Sequence, residues 1–229
     1  MLVQVKVIGF IACVILAGSW SLPRQEPVGN AYLALGDSYT IGESVDPDDR
    51  YPARAVRLLR EDHVDCTDPE IIATTGWTTA DLLDALGGRH AAAPYAMVTL
   101  LIGVNNQFQG LSQSAYRTQF AALLERSIRL AGNRPSHVLA LSIPDYSVTP
   151  FARDLNGALI SSQIDSFNTI NAALAAKSGV HYLDLTSESR KGAEDPSLIA
   201  GDSLHFSGKE YAIWAGMMKP VMKTILMEK

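Results

Sequence analysis

Ala31-Tyr32-Leu33-Ala34-Leu35-Gly36-Asp37-Ser38-Tyr39-Thr40 is the stretch from which the rest of the chain can be ordered. Five apolar residues run into a glycine, an aspartate and a serine. That reads as a buried strand entering a polar loop. The same motif of apolar run and polar stop recurs downstream. Glu70-Ile71-Ile72-Ala73 precedes Thr74-Thr75-Gly76, and Ala96 to Ile102 stops at Gly103. Val138-Leu139-Ala140-Leu141 and Val180-His181-Tyr182-Leu183-Asp184 supply a fourth and a fifth strand.

Helical spacing fills the gaps between these runs. Residues 53–59 have it, and Thr79 can cap a helix that carries Leu82, Leu83 and Leu86. Tyr116, Phe120, Leu123, Leu124 and Ile128 share one face, with Arg117, Glu125, Arg126 and Arg129 elsewhere. Ile160, Ile164, Phe167, Ile170 and Leu174 mark another helix, stopped by Gly179. A terminal helix has its core stripe at Tyr211, Trp214, Met218, Met222 and Ile225, with a kink expected at Pro220. Strands that alternate with helices predict a three-layer α/β/α sandwich around a mostly parallel five-stranded sheet.

The 229 residues are 47% hydrophobic and 19% charged, an ordinary globular composition that can bury a full core. A net charge of -5 with no basic stripe argues against nucleic acid as a partner. Residues 1–19 differ from the rest. Lys6 precedes ten uncharged residues, Val7 to Leu16, and then Ala17-Gly18-Ser19. This is the pattern of a secretory signal peptide, and it predicts an exported protein, periplasmic or secreted. The alternative is an uncleaved anchor over residues 3–19, which would be the only membrane contact. After a short lead at 20–29, residues 30–229 read as a single domain. Cys66 would be the sole cysteine of the mature chain, which excludes an intrachain disulfide and a thiolate cluster. It reads as a small buried filler.

In open parallel sheets, ligands sit beyond the carboxyl ends of the strands. Gly36-Asp37-Ser38, Thr75-Gly76-Trp77 and Gly103-Val104-Asn105-Asn106 would therefore gather at one sheet edge. Gly201-Asp202-Ser203-Leu204-His205 lies just before the terminal helix. Ester hydrolysis needs a nucleophile, a base, a group that orients the base, and donors for the oxyanion. Ser38 can be the nucleophile, His205 the base and Asp202 the orienting carboxylate. The backbone N–H groups of Ser38 and Gly76 and the side-chain amide of Asn105 can be the oxyanion donors. Each has a plainer reading when taken singly. Ser38 and Asn105 suit turns, Gly76 a hinge, and Ser207 can cap the terminal helix. Gly-Asp-Ser itself occurs twice, at 36–38 and 201–203.

Taken in order, the four segments resemble the conserved blocks of the SGNH (GDSL-type) hydrolase superfamily. Leu-Gly-Asp-Ser-Tyr-Thr carries Ser38, Thr-Gly-Trp-Thr-Thr carries Gly76, Ile-Gly-Val-Asn-Asn carries Asn105, and Asp-Ser-Leu-His carries Asp202 and His205. The resemblance runs from Leu33 to about Trp214. It departs from the family pattern at Asn106, where aspartate is common, and at Phe206, where proline is frequent. Thr40 also breaks the Gly-x-Ser-x-Gly signature of the α/β-hydrolase nucleophile elbow.

The resemblance implies a flavodoxin-like fold and a serine esterase that opens esters through an acyl-enzyme, with no cofactor and no metal. His181 and Asp184 are not expected to act as ligands. Short acyl esters, lysophospholipids and acetylated sugars all remain possible substrates. An acyltransferase on a sugar or lipid alcohol and a non-catalytic binding module are the other classes. The segment 142–151 is rich in proline and aromatics, and it is expected to line the pocket with Tyr146 and Phe151 as walls.

Overall fold

The computed structural model describes residues 29–88 and 94–227. The signal segment and nearly all of the lead expected before the domain lie outside these residues. Among the described residues, no helix is long and apolar enough to cross a membrane.

Five strands form the sheet: β1 (Tyr32–Gly36), β2 (Glu70–Ala73), β3 (Met97–Leu101), β4 (Val138–Leu141) and β5 (His181–Leu183). Their spatial order is β2-β1-β3-β4-β5, and every pair is parallel. This is the flavodoxin-like order. Every residue of β1, β3 and β4 is buried, because layers cover both faces of a central parallel strand. The edge strands β2 and β5 are only partly covered.

The helices are α1 (Ser38–Ile41), α2 (Tyr51–Glu61), α3 (Thr79–Leu86), α4 (Val104–Phe108), α5 (Gln113–Leu130), α6 (Gly157–Ser178), α7 (Thr186–Ser189) and α8 (Gly208–Met227). Helix α2 packs on α8, while α3 and α6 both pack on α5. Helices α5 and α8 each contact β3, so the central strand has a helix from each group against it. The buried side chains form one cluster that takes in the sheet and the inner helix faces. Lys219 and Lys223 of α8 both reach Asp62 at the end of α2, at 2.9 and 3.2 Å.

One local expectation needs adjustment. Thr78, not Thr79, caps α3: it accepts from the Asp81 N–H, while the Asp81 carboxylate accepts from the Thr78 N–H. This reciprocal box satisfies two orphan donors at once. Helix α8 runs through Pro220 as one element. Cys66 is buried, and burial pushes its thiol up to about 11, in keeping with a filler.

Candidate active site

The chain leaves β1 to form β2 on one side and later lays β3 on the other. This reversal opens a crevice beyond the carboxyl ends of β1 and β3, the position where parallel sheets hold ligands. Gly36, the last residue of β1, has no room for a side chain. A Cβ would stand 2.0 Å from Thr40 Oγ1 and 2.4 Å from the Leu101 carbonyl oxygen. The chain therefore turns sharply. Asp37 becomes the N-cap of α1, with Oδ1 accepting from the Tyr39 N–H at 3.1 Å. Ser38 is the first helical residue, and its own N–H is one that the helix leaves free.

Asp37 is fully buried, and its Oδ2 makes no hydrogen bond of ordinary geometry among the described residues. Burial pushes its carboxyl up to about 7, against the opposing pull of the Tyr39 and Gly103 N–H groups.

Beyond β3, Gly103 adopts φ 132, and a Cβ there would meet the Tyr116 hydroxyl at 2.5 Å. Helix α4 begins at the next residue, and its two asparagines serve different neighbours. Asn105 Nδ2 donates to the Trp77 carbonyl oxygen at 2.9 Å. That uses one of its two amide hydrogens and leaves the other for a ligand. Asn106 is buried and grips Thr79: its Oδ1 accepts from the Thr79 N–H at 3.0 Å, and its Nδ2 donates to Thr79 Oγ1 at 2.8 Å. The Thr79 hydroxyl already donates to Gln119 Oε1 at 2.5 Å. It therefore needs a donor in return, which an amide supplies and a carboxylate does not. The amide at this position thus serves both the N–H and the hydroxyl of Thr79. Gly76, one residue before Trp77, has φ 85 and open space where a Cβ would stand.

Asp202 and His205 occupy the turn that leads into α8. Asp202 Oδ1 accepts from the backbone N–H groups of Leu204 and His205, each at 2.9 Å. Its Oδ2 accepts from His205 Nδ1 at 2.6 Å and from the Ser44 hydroxyl at 2.6 Å. Partial burial raises the Asp202 carboxyl, but the donors from Ser44, Leu204 and His205 outweigh it and hold the group well below the usual range. A carboxylate at Nδ1 fixes the imidazole with Nε2 free to accept a proton. His205 is 8% exposed, and its ring meets Tyr39 edge-on at 5.8 Å. Ser207 caps α8 as well, with its hydroxyl accepting from the Glu210 N–H at 3.4 Å. The plain reading of that segment and the chemical one hold together.

Ser38, Asn105 and His205 line one small pocket of about 80 Å³, together with Tyr39, Val104, Phe108, Tyr146 and Leu204. No hydrogen bond joins Ser38 Oγ to His205 among the described residues. Of the two expected walls, Tyr146 lines the pocket and Phe151 does not. Phe151 is 44% exposed and sits at the rim, 6.5 Å from the Tyr146 ring and 6.1 Å from that of Phe108. Its displacement follows from Asp145, which caps the 3-10 turn at Tyr146–Val148 and pairs with Arg190 at 2.8 Å, so the turn holds Tyr146 inward. A second turn, Pro150–Ala152, then carries Phe151 outward.

Sequence reasoning missed Phe108, Ser44 and Trp77. Phe108 lies on the same short helix as Asn105, a closeness that was visible in the chain. The other two contacts are tertiary. Asp184 accepts from the Thr186 N–H and the Ser187 hydroxyl in its own turn, and from the Ser142 hydroxyl beyond β4 at 3.1 Å. Among the described residues, no cluster of three or more His, Cys, Asp or Glu could hold a metal ion.

The fold has counterparts among known proteins. TesA superposes with a TM-score of 0.67 at 18% identity, over 85% of this chain and 99% of that one. A psychrotrophic esterase, EstA from Pseudoalteromonas sp., gives 0.65 at 17% identity, over 87% and 100%. A lipase/acylhydrolase from Enterococcus faecalis gives 0.64 at 18% identity, over 85% and 96%. At these identities the likeness is one of fold. No curated protein matches the sequence. The family model described as GDSL-like Lipase/Acylhydrolase matches residues 34–213, from inside β1 to inside α8. The chain therefore belongs to the GDSL-like lipase/acylhydrolase family and is a carboxylic ester hydrolase.

Proposed function

We propose that the protein cleaves esters through a Ser38-His205-Asp202 triad and a covalent acyl-enzyme. The reading is carried by one observation. Ser38 at the start of α1, Asn105 and the Asp202-paired His205 all line the same pocket. In the first step Ser38 Oγ bonds to the acyl carbon while His205 Nε2 takes the hydroxyl proton. The carbonyl oxygen becomes an oxyanion, held by the Ser38 N–H, the Gly76 N–H and the remaining Asn105 hydrogen. Collapse breaks the ester C–O bond, and the proton on His205 passes to the departing alcohol. Water, deprotonated by His205, then cleaves the acyl-enzyme and restores Ser38.

Tyr146 and Phe108 would flank the acyl group as it leaves the pocket, with Phe151 meeting only longer chains at the rim. The same reading takes residues 30–229 as one catalytic domain, exported by the segment at 1–19.

Aryl esters from acetyl to long-chain, given to the wild type and to Ser38→Ala, test the central assignment. Equal rates for the two proteins would sink it. For the pocket, Tyr146→Ala and Phe108→Ala are expected to change the preferred chain length, and Phe151→Ala to affect only the longest esters. A chain-length profile unmoved by all three would remove the aromatic wall from the argument.

A further inference from the structure

Helix α1 is only four residues long, so it cannot by itself fix the loops that must meet at Ser38. The turn that follows it has contacts suited to that task. Gly42 ends the helix in a left-handed conformation, and its N–H and that of Glu43 both donate to the Ser38 carbonyl oxygen, the latter at 2.9 Å. From this anchored start, two successive side chains reach in different directions. The Glu43 carboxylate accepts a hydrogen bond from the Thr75 hydroxyl, in the loop that holds Gly76. The Ser44 hydroxyl donates to Asp202 Oδ2 at 2.6 Å, across 158 positions in sequence.

The oxygen that Ser44 contacts also receives His205 Nδ1. With two backbone N–H groups on Oδ1, the Asp202 carboxylate is held on both oxygens and cannot rotate freely about its side-chain bond. The backbone shows a second sign. Four non-glycine residues among those described have a left-handed φ, and two of them border this carboxylate: Ser44 at φ 65 and Ser203 at φ 67. Serine gains nothing locally from that conformation, which glycine or asparagine adopts more readily. Strain of this kind persists where surrounding contacts over-determine it.

We propose that Glu43 and Ser44 are positioning residues, a strap that sets the distance between nucleophile, oxyanion loop and acid–base pair. This inference rests on the triad reading above. The strap starts on the carbonyl of Ser38 itself, so a short path runs from Ser38 through Ser44 and Asp202 to His205, which lines the same pocket. A movement of about 1 Å along such a path can lower a rate a hundredfold.

The test uses variants that keep the backbone at ease. Ser44→Gly removes the hydroxyl and suits the left-handed φ, so the fold is spared. It is expected to lower kcat about tenfold at unchanged KM, as when an interaction made only in the transition state is lost. In an Asp202→Ala background the same change should do nothing further, because the group it steadies is gone. Glu43→Ala is expected to lower kcat about threefold to tenfold, with Glu43→Gln, which keeps an acceptor for Thr75, within about twofold of wild type. Wild-type kcat in both Ser44→Gly and Glu43→Ala would overturn the strap, and so would a full further loss in the Asp202→Ala background. If Ser38→Ala is inactive in those experiments, the triad reading survives that result. If Ser38→Ala retains the rate, the triad reading is what fails.

Discussion

Gly-Asp-Ser occurs at 36–38 and again at 201–203, and the two copies share nothing but their letters. In the first copy the glycine is walled in by Thr40 and Leu101, while in the second a Cβ at Gly201 would meet only open space. Asp37 is sealed from water, with one oxygen lacking a hydrogen bond among the described residues, and burial drives its carboxyl up to about 7. Asp202 sits at the surface under four donors, which hold its carboxyl far below the usual range despite partial burial. Ser38 opens a helix, and Ser203 adopts a left-handed φ of 67. A motif of three residues thus specifies chemistry only through the element that precedes it. A buried strand delivers the first copy, and a polar turn delivers the second.

Exchanging roles between the copies should produce effects that fall into a clear order. The largest belongs to the serines. Ser38→Ala is expected to lower kcat by about 10⁶-fold and Ser203→Ala by less than about threefold, measured with a short aryl ester. Comparable losses at the two serines would erase the distinction. Next come the aspartates. Asp202→Asn should lower kcat by about 10⁴-fold, because an amide no longer fixes the tautomer of His205. Asp37→Asn should change it by less than about tenfold, since asparagine caps a helix nearly as well as aspartate. A large kcat loss in Asp37→Asn would place that residue in the reaction.

The glycines come third, and their difference is one of stability. Gly36→Ala forces a Cβ against backbone and should destabilise the fold by about 3 kcal/mol or more, whereas Gly201→Ala should stay within about 0.5 kcal/mol. Chemical denaturation of the two variants separates these outcomes.

The smallest effect is a pH dependence. The native state holds a proton on Asp37 more tightly than the unfolded chain does, so its contribution to stability is complete below the ordinary aspartate range. That contribution is lost as pH rises through about 7. Glu210, also raised by burial to about 7, acts in the same direction. The melting temperature should therefore fall as pH rises from about 5 to 8, and Asp37→Asn should flatten that fall. An unchanged slope in the variant would mean that Asp37 ionises without cost.

The central strands were legible because full burial demands unbroken apolar runs, and β1, β3 and β4 are such runs. The long helices were legible from their periodic faces. Helices α1 and α4 were not, since four and five residues are too few to show a period. Yet these two elements aim Ser38 and Asn105. Of the candidate site, Ser38, Asn105 and His205 line one pocket and Asp202 pairs with His205, whereas Gly76 is not among the lining residues. Phe151, expected from the segment 142–151, is carried to the rim by a proline turn. Ser44 could not be foreseen, because nothing in Gly42-Glu43-Ser44 marks a contact with a residue 158 positions away. Asn106 looked like a lost carboxylate until Thr79 supplied the reason for an amide.

The grip of Lys219 and Lys223 on Asp62 bears on the order in which the protein becomes active during synthesis. These ion pairs join the last long helix to the first across 157 and 161 positions. Ser38 emerges from the ribosome early, but His205, its proposed base, follows 167 positions later, and α8 comes after that. A nascent chain that stops before α8 would carry the nucleophile without a base, its second helix without a cover, and an apolar strand face open to water. Activity should therefore appear in a single step, once α8 has been made.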